Sequence, residues 1–275
     1  NVISTMDKLL ALNKRIAECV GLWLAEGSNK SLNEITFTNN CWELIDIFYK
    51  TIKKCFRGYK YNPRIYIYSK NKERLKIPYR KVAVKYYVHK RATRPFFILR
   101  FASVKMISIW REVVDEMLKK KEFYSFILRG FFAGEGNVYM GSHNRRILRI
   151  SQKEQKKFIE DLLNYFGLSF YFEEGNRSYV IYTKAMWDIF ARLKLADLHP
   201  NKRKKFWEVY RSFKEEHYSK NYLIREIYLK LSSPITTREL SKIFNRSFSR
   251  AQETLILLKK QGKAFNYRVG SVNYW

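Results

Sequence analysis

The feature that most limits how this chain can fold is a helix written twice. Cys19-Val-Gly-Leu-Trp-Leu-Ala-Glu-Gly27 and Leu128-Arg-Gly-Phe-Phe-Ala-Gly-Glu-Gly136 lie 109 residues apart and both end in Glu-Gly. The segments after them repeat as well. Ile35-Thr-Phe-Thr-Asn39 precedes a helical stretch from Cys41, and Leu148-Arg-Ile-Ser-Gln152 precedes one from Glu154. Later, Ser103–Trp110 is echoed by Thr183–Phe190. Each half reads as helix, two strands, helix, about two strands, helix. A duplicated unit of this kind packs as a pseudo-two-fold pair, because like surfaces meet like.

The periodicities between these landmarks predict the other elements. Apolar residues at helical spacing mark 41–56, 104–117, 154–166, 184–193 and 205–213. Period-two alternation marks strands in 64–70 and 81–90, expected to run antiparallel. In the first, Ile65 and Ile67 face inward while Arg64, Tyr66, Tyr68 and Lys70 face outward. In the second, Val82, Val84, Tyr86 and Val88 oppose Lys81, Lys85, Tyr87 and His89. From Asn221 the pattern changes to helices at 222–231, 236–244 and 247–261. A hairpin-like end follows Gly262. Thr236 or Thr237 and Ser247 stand at N-cap positions. Three helices and a terminal hairpin predict a winged helix-turn-helix.

Charge says what such a chain meets. There are 54 Lys+Arg against 25 Asp+Glu in 275 residues, a net charge of +29. That excess exceeds any need of solubility and implies a polyanionic partner, above all nucleic acid. From Lys53 to Lys105 there are 17 basic residues and one acid, Glu73, interleaved with tyrosines and phenylalanines. This suits a surface that tracks phosphates. The candidate contacts on it are Arg64, Tyr66, Tyr68, Lys70, Lys81, Lys85 and Arg100, with Arg149 in the second half. The tail is separately basic, and Arg246, Ser247 and Arg250 stand near the start of its recognition helix.

Other chemistries are disfavoured. Cys19, Cys41 and Cys55 lack CxxC spacing, which predicts buried thiols in a reducing compartment. The four histidines form no ligand pair. No apolar run reaches the ~18 residues of a membrane span, and the first residues show no signal-peptide pattern. The expectation is an intracellular protein, cytoplasmic or organellar, not secreted and without a membrane partner.

Within the repeated helices, small residues recur one turn apart: Ala17, Gly21 and Ala25, then Gly130 and Gly134. Such spacing lets two helix backbones approach closely. Glu26 and Glu135 each occupy a last turn, against the negative end of the helix dipole, and each is followed by a C-cap glycine. Packed together, the helices would set two carboxylates side by side among exposed carbonyls. Such a cluster calls for a cation, and oxygen-only donors select Mg²⁺, Mn²⁺ or Ca²⁺. In a basic nucleic-acid protein, metal-binding carboxylates point to phosphodiester hydrolysis.

Gly21-Leu-Trp-Leu-Ala-Glu-Gly27 and Gly130-Phe-Phe-Ala-Gly-Glu-Gly136 resemble the two motifs of the LAGLIDADG homing endonucleases, in the single-chain, intron-encoded class. The resemblance covers about residues 10–215. It implies an α+β fold of two αββαββα halves, residues 1–122 and 123–217, whose motif helices form the interface and whose sheets form a saddle on DNA. The winged helix-turn-helix, 218–275, lies outside that pattern. Glu26 and Glu135 match the final motif acid, which holds the metals and carries catalysis. Ala25 and Gly134 match the residue whose carbonyl assists. Gln152 matches a polar residue that orients water, and Asn39 is its counterpart in the first half. The family places a lysine near each centre. Lys119–Lys121 and Lys202–Lys205 are the candidate clusters, represented by Lys121 and Lys202, and spacing does not choose within them. Leu24 and Ala133 stand where many members carry Asp.

The implied activity is Mg²⁺-dependent cleavage of both DNA strands, leaving short 3′ overhangs, with Mn²⁺ or Ca²⁺ able to occupy the same site. The first half is longer through its strands, so the implied target is long and asymmetric, read by a monomer. Two alternatives stay open: a catalytically inactive DNA-binding transcription regulator, and a maturase that assists splicing of intron RNA.

Overall fold

A computed structural model describes residues 12–141, 145–213 and 221–275. The fold is mixed α+β and divides into two compact units. One contains the described residues up to Tyr139 together with Ile147–Glu208, and the other those of Met140–Arg146 and Val209–Trp275. Helix α1 (Lys14–Glu26) leads to β1 (Glu34–Asn39), α2 (Trp42–Cys55), β2 (Asn62–Ser69), β3 (Ala83–Val88), β4 (Phe96–Ala102) and α3 (Val104–Lys119). A 3-10 turn, Lys121–Phe123, then opens α4 (Tyr124–Glu135). After it come β5 (Gly136–Met140), β6 (Arg146–Ser151), α5 (Lys157–Tyr165), β7 (Tyr171–Glu173), β8 (Ser178–Ile181), α6 (Lys184–Leu193) and α7 (Pro200–Arg211).

The two repeated helices, α1 and α4, pack backbone to backbone. Helix α1 starts where the Asn13 side chain accepts the N–H groups of Arg15 and Ile16 at 3.0 and 3.1 Å, a cap for otherwise orphaned donors. A Cβ on Gly21 would stand 2.0 Å from the Ile127 carbonyl oxygen, and one on Gly130 would stand 2.0 Å from that of Glu18. The contacts are reciprocal: each helix buries its glycine on the other's backbone. The sequence read Gly27 and Gly136 as ordinary C-caps, which most often take left-handed backbone. Both are extended instead, at φ −89° and −74°. They are glycines because a Cβ would lie 2.3 Å from the Trp23 ring and 2.3 Å from the Phe132 carbonyl oxygen, respectively.

The first sheet has the order β1-β4-β2-β3. Its inner face, with Ile35, Phe37, Leu99, Phe101, Ile65 and Ile67, is buried in the core. The outer face carries Arg64, Tyr66 and Tyr68, cross-strand from Arg100, Ile98 and Phe96. One expectation fails here: β3 pairs with β2 in parallel, with Tyr66 opposite Lys85 and Tyr68 opposite Tyr87. Alternation reveals which face a residue takes but not the strand's direction. A parallel neighbour needs a crossover of a dozen or so residues, and residues 70–82 provide it. Leu75, Ile77, Tyr79 and Val82 of this crossover pack against the core. The Tyr79 ring stacks on Tyr49 of α2 at 4.1 Å, and its hydroxyl donates to Asp46.

The second sheet has the order β5-β6-β8-β7. Among the described residues, the first half lacks the equivalent of β5 as a strand, having only the isolated pairing of Gly27 with Phe37. It gains β3 at the opposite edge. Two boundaries also move. Helix α5 begins at Lys157 rather than Glu154, and α7 begins at Pro200, a residue preorganised for a helix's first position.

In the second unit, α8 (Tyr222–Lys230), α9 (Thr237–Ile243) and α10 (Phe248–Lys260) close around Ile227, Leu240, Leu255 and Leu258. Thr236 and Glu239 form a full capping box on α9, and Ser247 caps α10. Strands β9 (Tyr267–Val269) and β10 (Val272–Tyr274) form the expected hairpin. Trp275 and Ile235 exchange backbone hydrogen bonds of 3.0 and 3.2 Å, tying the chain end to the entry of α9. Among the described residues, no helix is long and apolar enough to cross a membrane.

Candidate active site

Glu26 and Glu135 are the last residues of α1 and α4. The close approach that the interface glycines permit continues to these ends. A Cβ on Gly134 would lie 2.6 Å from the Ala25 Cβ and 3.1 Å from the Glu26 Cγ. The two acids therefore sense each other. Burial pushes Glu26 up to about 7, the charge of Glu135 adds to the rise, and Lys202 opposes it. Burial also raises Glu135, against the pull of Lys202 and Lys156. Like charges brought together out of water favour the neutral acid.

A single lysine serves both acids. From the first turn of α7, the Lys202 Nζ donates to the carbonyls of Phe132, Ala133 and Gly134 at 3.2, 2.6 and 2.7 Å. A cation there meets the negative end of the α4 dipole. Burial lowers Lys202 to about 8, while Glu26 and Glu135 hold it up. Lys121, the candidate from the first half, lies at the other end of the same helix, with its Nζ 5.9 Å from the Tyr165 ring centre. Helix α4 has 12 residues, so its rise separates Lys121 from Glu135 by roughly 18 Å. The reason is topological: in the first half α3 runs straight into α4 through the 3-10 turn, with no counterpart of α7 to carry a lysine inward.

An open cleft of about 890 Å³ borders Glu26, and its walls include Asn39, Cys41, Gly134, His199, Lys202 and Lys205. Asn39 is buried, and its side-chain oxygen accepts the Cys41 N–H at 2.8 Å, shaping the entry to α2. Gln152 is buried at the end of β6 and does not line this cleft. Its N–H donates to the Arg177 carbonyl at 2.8 Å. His199 is pushed down to about 4 by burial and by Lys202. Its Nδ1 accepts the Asn201 N–H at 3.2 Å, so it stands there as a neutral imidazole. Lys156 and His199 escaped sequence reasoning: His199 lies between the periodic segments, and the periodicity over 154–166 marks an apolar face without saying which flanking lysine approaches Glu135. Among the described residues, no three His, Cys, Asp or Glu side chains gather as a metal cage. All three cysteines are buried and free.

The expected nucleic-acid contacts divide. Arg64 and Arg100 reach the outer sheet face but both hold Glu34, at 3.4 and 2.7 Å. Arg149 is bound to Glu173 at 3.3 Å in the second sheet. The Nε atoms of all three arginines are buried without a hydrogen-bond partner. Lys70 and Lys85 are exposed. Lys81 leaves the strand and instead lines a separate cleft with Lys53, Arg57 and Lys60, because the crossover turns there before β3 begins. In the second unit, the Ser247 oxygen accepts the Arg250 N–H as the cap of α10, and Arg250 pairs with Glu253 at 3.3 Å. Arg246 lies immediately before that cap.

Solved structures with a similar fold include I-DmoI, a single-chain two-motif LAGLIDADG homing endonuclease. I-DmoI in complex with DNA and Mn is 15% identical, with 67% of this chain and 97% of that chain covered at a TM-score of 0.44. Mesophilic variants of the same enzyme are 14% identical over 68% of this chain and 92% of theirs, at 0.44. Full-length DUF199/WhiA from Thermatoga maritima is 14% identical over 93% of each chain, at 0.46. No protein-family model and no curated protein matches the chain. At such identities and scores these are likenesses of fold, and the functional reading rests on this chain's own residues.

Proposed function

We propose that the chain is a divalent-metal-dependent endonuclease that hydrolyses both strands of a long, asymmetric duplex DNA target and leaves short 3′ overhangs. The observation that carries this reading is the meeting of the two helix-terminal carboxylates of a duplicated helix, beside one buried lysine, in a strongly basic chain. The donors suit the metal. Glu26 and Glu135 with the carbonyls of Ala25 and Gly134 make an all-oxygen set of the kind Mg²⁺, Mn²⁺ and Ca²⁺ prefer. A second positive charge there also offsets the burial and the Glu135 charge that together raise Glu26 to about 7. When bound, such an ion neutralises phosphate charge and makes a water molecule more acidic.

The chain's own groups do the rest. Glu26 and Glu135 would hold such an ion. The ammonium of Lys202 faces the charge that develops on the cleaved phosphate. Asn39 and Gln152 orient water in the first and second halves. The two sheets form a saddle across the duplex, with Lys70, Lys85 and the arginines of the outer faces on the phosphates and base edges. The arginines leave Glu34 and Glu173 for phosphate, which gives their orphan Nε donors a partner. The C-terminal unit acts as a winged helix-turn-helix that lays α10, with Arg246 and Arg250 at its start, on flanking DNA. The protein acts as an intracellular, intron-encoded monomer.

The test is selection of cleaved sites from a randomised duplex library in Mg²⁺, and then cleavage of the selected site by Glu26→Gln and Glu135→Gln. Products from the parent and none from either variant are expected. Undiminished cleavage by both variants removes the acids from catalysis.

One observation favours a second reading. Lys202 already sets an ammonium near both acids and on the α4 carbonyls, so the pair is partly neutralised without metal. In a DNA-binding regulator that would be sufficient. Tight binding that is unchanged by Mg²⁺ or Mn²⁺, with no product, would select that reading.

A further inference from the structure

The outer face of the first sheet carries more than charge. Phe96 on β4, Tyr68 on β2 and Tyr87 on β3 lie directly cross-strand of one another. Their rings stand face to face, with centres 5.0 Å apart at each step and planes 5° and 19° from parallel. Tyr66 meets Tyr87 edge-on at 5.6 Å and lies beneath the Arg100 guanidinium at 5.2 Å. Phe96 also lines the cleft beside Glu26. The row therefore runs from that cleft to the sheet's edge. There Tyr87, on the edge strand β3, is 37% exposed and has no further strand beyond it among the described residues.

Chemistry narrows what such a row can hold. Reading a duplex through its groove needs donors and acceptors aimed at base edges. Phe96 has none, and each tyrosine has one hydroxyl. Ring faces match the faces of bases, which a duplex hides in its own stack and an unpaired strand offers. Lys70 and Lys85, each two residues along the chain from Tyr68 and Tyr87, are exposed, as are Lys90 and Arg91 just after β3, a charge complement to a phosphate backbone. The carboxylate of this face, Glu34, is taken by Arg64 and Arg100. The rings are already ordered by one another, so a base that joins the stack finds its platform formed.

We propose that the row Phe96–Tyr68–Tyr87 is a stacking platform for unpaired nucleobases. It engages a single-stranded nucleic-acid segment whose first base lies on the open side of Tyr87. This rests on the nucleic-acid part of the function proposed above but not on cleavage. Cross-strand aromatic rows also stabilise sheets by themselves, so the test must separate stacking from packing.

Full-length protein is titrated into 12-mer single-stranded DNA, single-stranded RNA and duplex DNA at one salt concentration. Each carries 2-aminopurine, whose fluorescence is quenched on stacking. The parent should bind at least one single strand with quenching, and that arm identifies the preferred sugar. Tyr87→Leu should weaken that binding by about 5- to 100-fold and relieve the quenching, while duplex affinity changes less than about 2-fold. Tyr87→Phe, which keeps the ring, should restore both. An equal loss for duplex and single strand overturns the proposal, as does a fall in melting temperature with single-strand affinity unchanged. Duplex binding without any quenched single strand also overturns it, and leaves the proposed function standing. Absence of all nucleic-acid binding refutes the function itself.

Discussion

Gly130→Ala tests one of the two reciprocal glycine contacts that seat α1 on α4. A Cβ at Gly130 would lie 2.0 Å from the Glu18 carbonyl oxygen and 3.0 Å from the Leu22 nitrogen. Both are backbone atoms in the middle of α1 and no rotamer change moves them, so the helices must part by roughly 1 Å to restore a normal contact. Propensity favours the variant by about 1 kcal/mol, because alanine is the better helix former. Overpacking opposes it at about 1–3 kcal/mol for ordinary cores, and here the upper end applies, since both sides of the clash are backbone. The expected net loss is roughly 2 kcal/mol, or a fall of about 4–8 °C in Tm for a chain of this size. The variant should also act at a distance. Parting the helix ends weakens the repulsion between Glu26 and Glu135, so the raised Glu26 titration near 7 should move down. The assays are thermal melting and carboxylate NMR titration. Gly175→Ala is the control, because its Cβ would meet nothing within 4 Å, and it should stay within about 0.5 kcal/mol of the parent. If Gly130→Ala melts with the parent and leaves the Glu26 titration in place, the reasoning about this interface is wrong.

The same contacts set further outcomes. Glu26 is raised from 4.5 to about 7, so the folded state holds a proton there that the unfolded chain has lost, and stability should decline as pH rises from about 4.5 through 7. Glu26→Gln should flatten that decline and raise Tm at pH 7.5. Mn²⁺ or Ca²⁺ at 100-fold above its dissociation constant should stabilise the parent by about 2.7 kcal/mol and leave the Glu26→Gln/Glu135→Gln double variant unmoved in a thermal-shift assay. Arg129 joins α1, α4 and the end of α6 by contacting Glu18 at 3.0 Å and the carbonyls of Leu193 and Lys194 at 2.7 and 2.9 Å. Arg129→Met should cost roughly 1–3 kcal/mol by urea denaturation, because Glu18 loses one of its two cations, keeping Arg15 at 2.8 Å, and the two carbonyls lose their donor. Adding Glu18→Gln should recover part of that loss. Thr236→Ala removes half of the α9 capping box and should cost about 1 kcal/mol, read as faster amide exchange in α9.

Much of this was legible from residues alone, and the failures have physical causes. The repeated small-residue helices were visible because close backbone packing tolerates almost nothing larger than glycine at Gly21 and Gly130. The acids were visible because both fall at the same place in the repeat. The caps at Thr236 and Ser247 were visible because capping is local chemistry. Strand direction was not, since a two-residue alternation is the same whether β3 runs with β2 or against it. The lysine of the site was narrowed only to clusters. The structure sets Lys202 beside the acids on a helix, α7, that the other half lacks, and by the same asymmetry leaves Lys121 at the far end of α4. His199 reaches the site from a segment without periodicity, and Lys156 from the start of a helix whose spacing marks only its apolar face, so neither was announced. The outer face of the first sheet looked free of acids because Glu34 belongs to a strand outside the basic stretch and joins it only when the sheet forms.

The duplicated helix links stability and chemistry in a way that neither half could achieve alone. Glycine contacts at Gly21 and Gly130 draw α1 and α4 together along their length, and no sequence change at the acids is needed for that packing. Once drawn together, the helices leave Glu26 and Glu135 no freedom to separate, because Gly134 rests on Ala25 and on the Glu26 stem itself. The burial of Glu26, with the Glu135 charge beside it, is a local cost of about one to a few kcal/mol, small against the burial of Leu22, Ile127, Leu128 and Phe131 around it. A fold with less interface behind the acids would let them part and relax. This one holds them in place. The unfavourable charge is thus maintained by packing, and whatever cation binds there recovers energy that the helices have already stored. The same logic explains why Lys202 is buried at the cost of a lowered affinity for its proton: among the α4 carbonyls and near both acids, it partly offsets a charge the interface does not allow to escape.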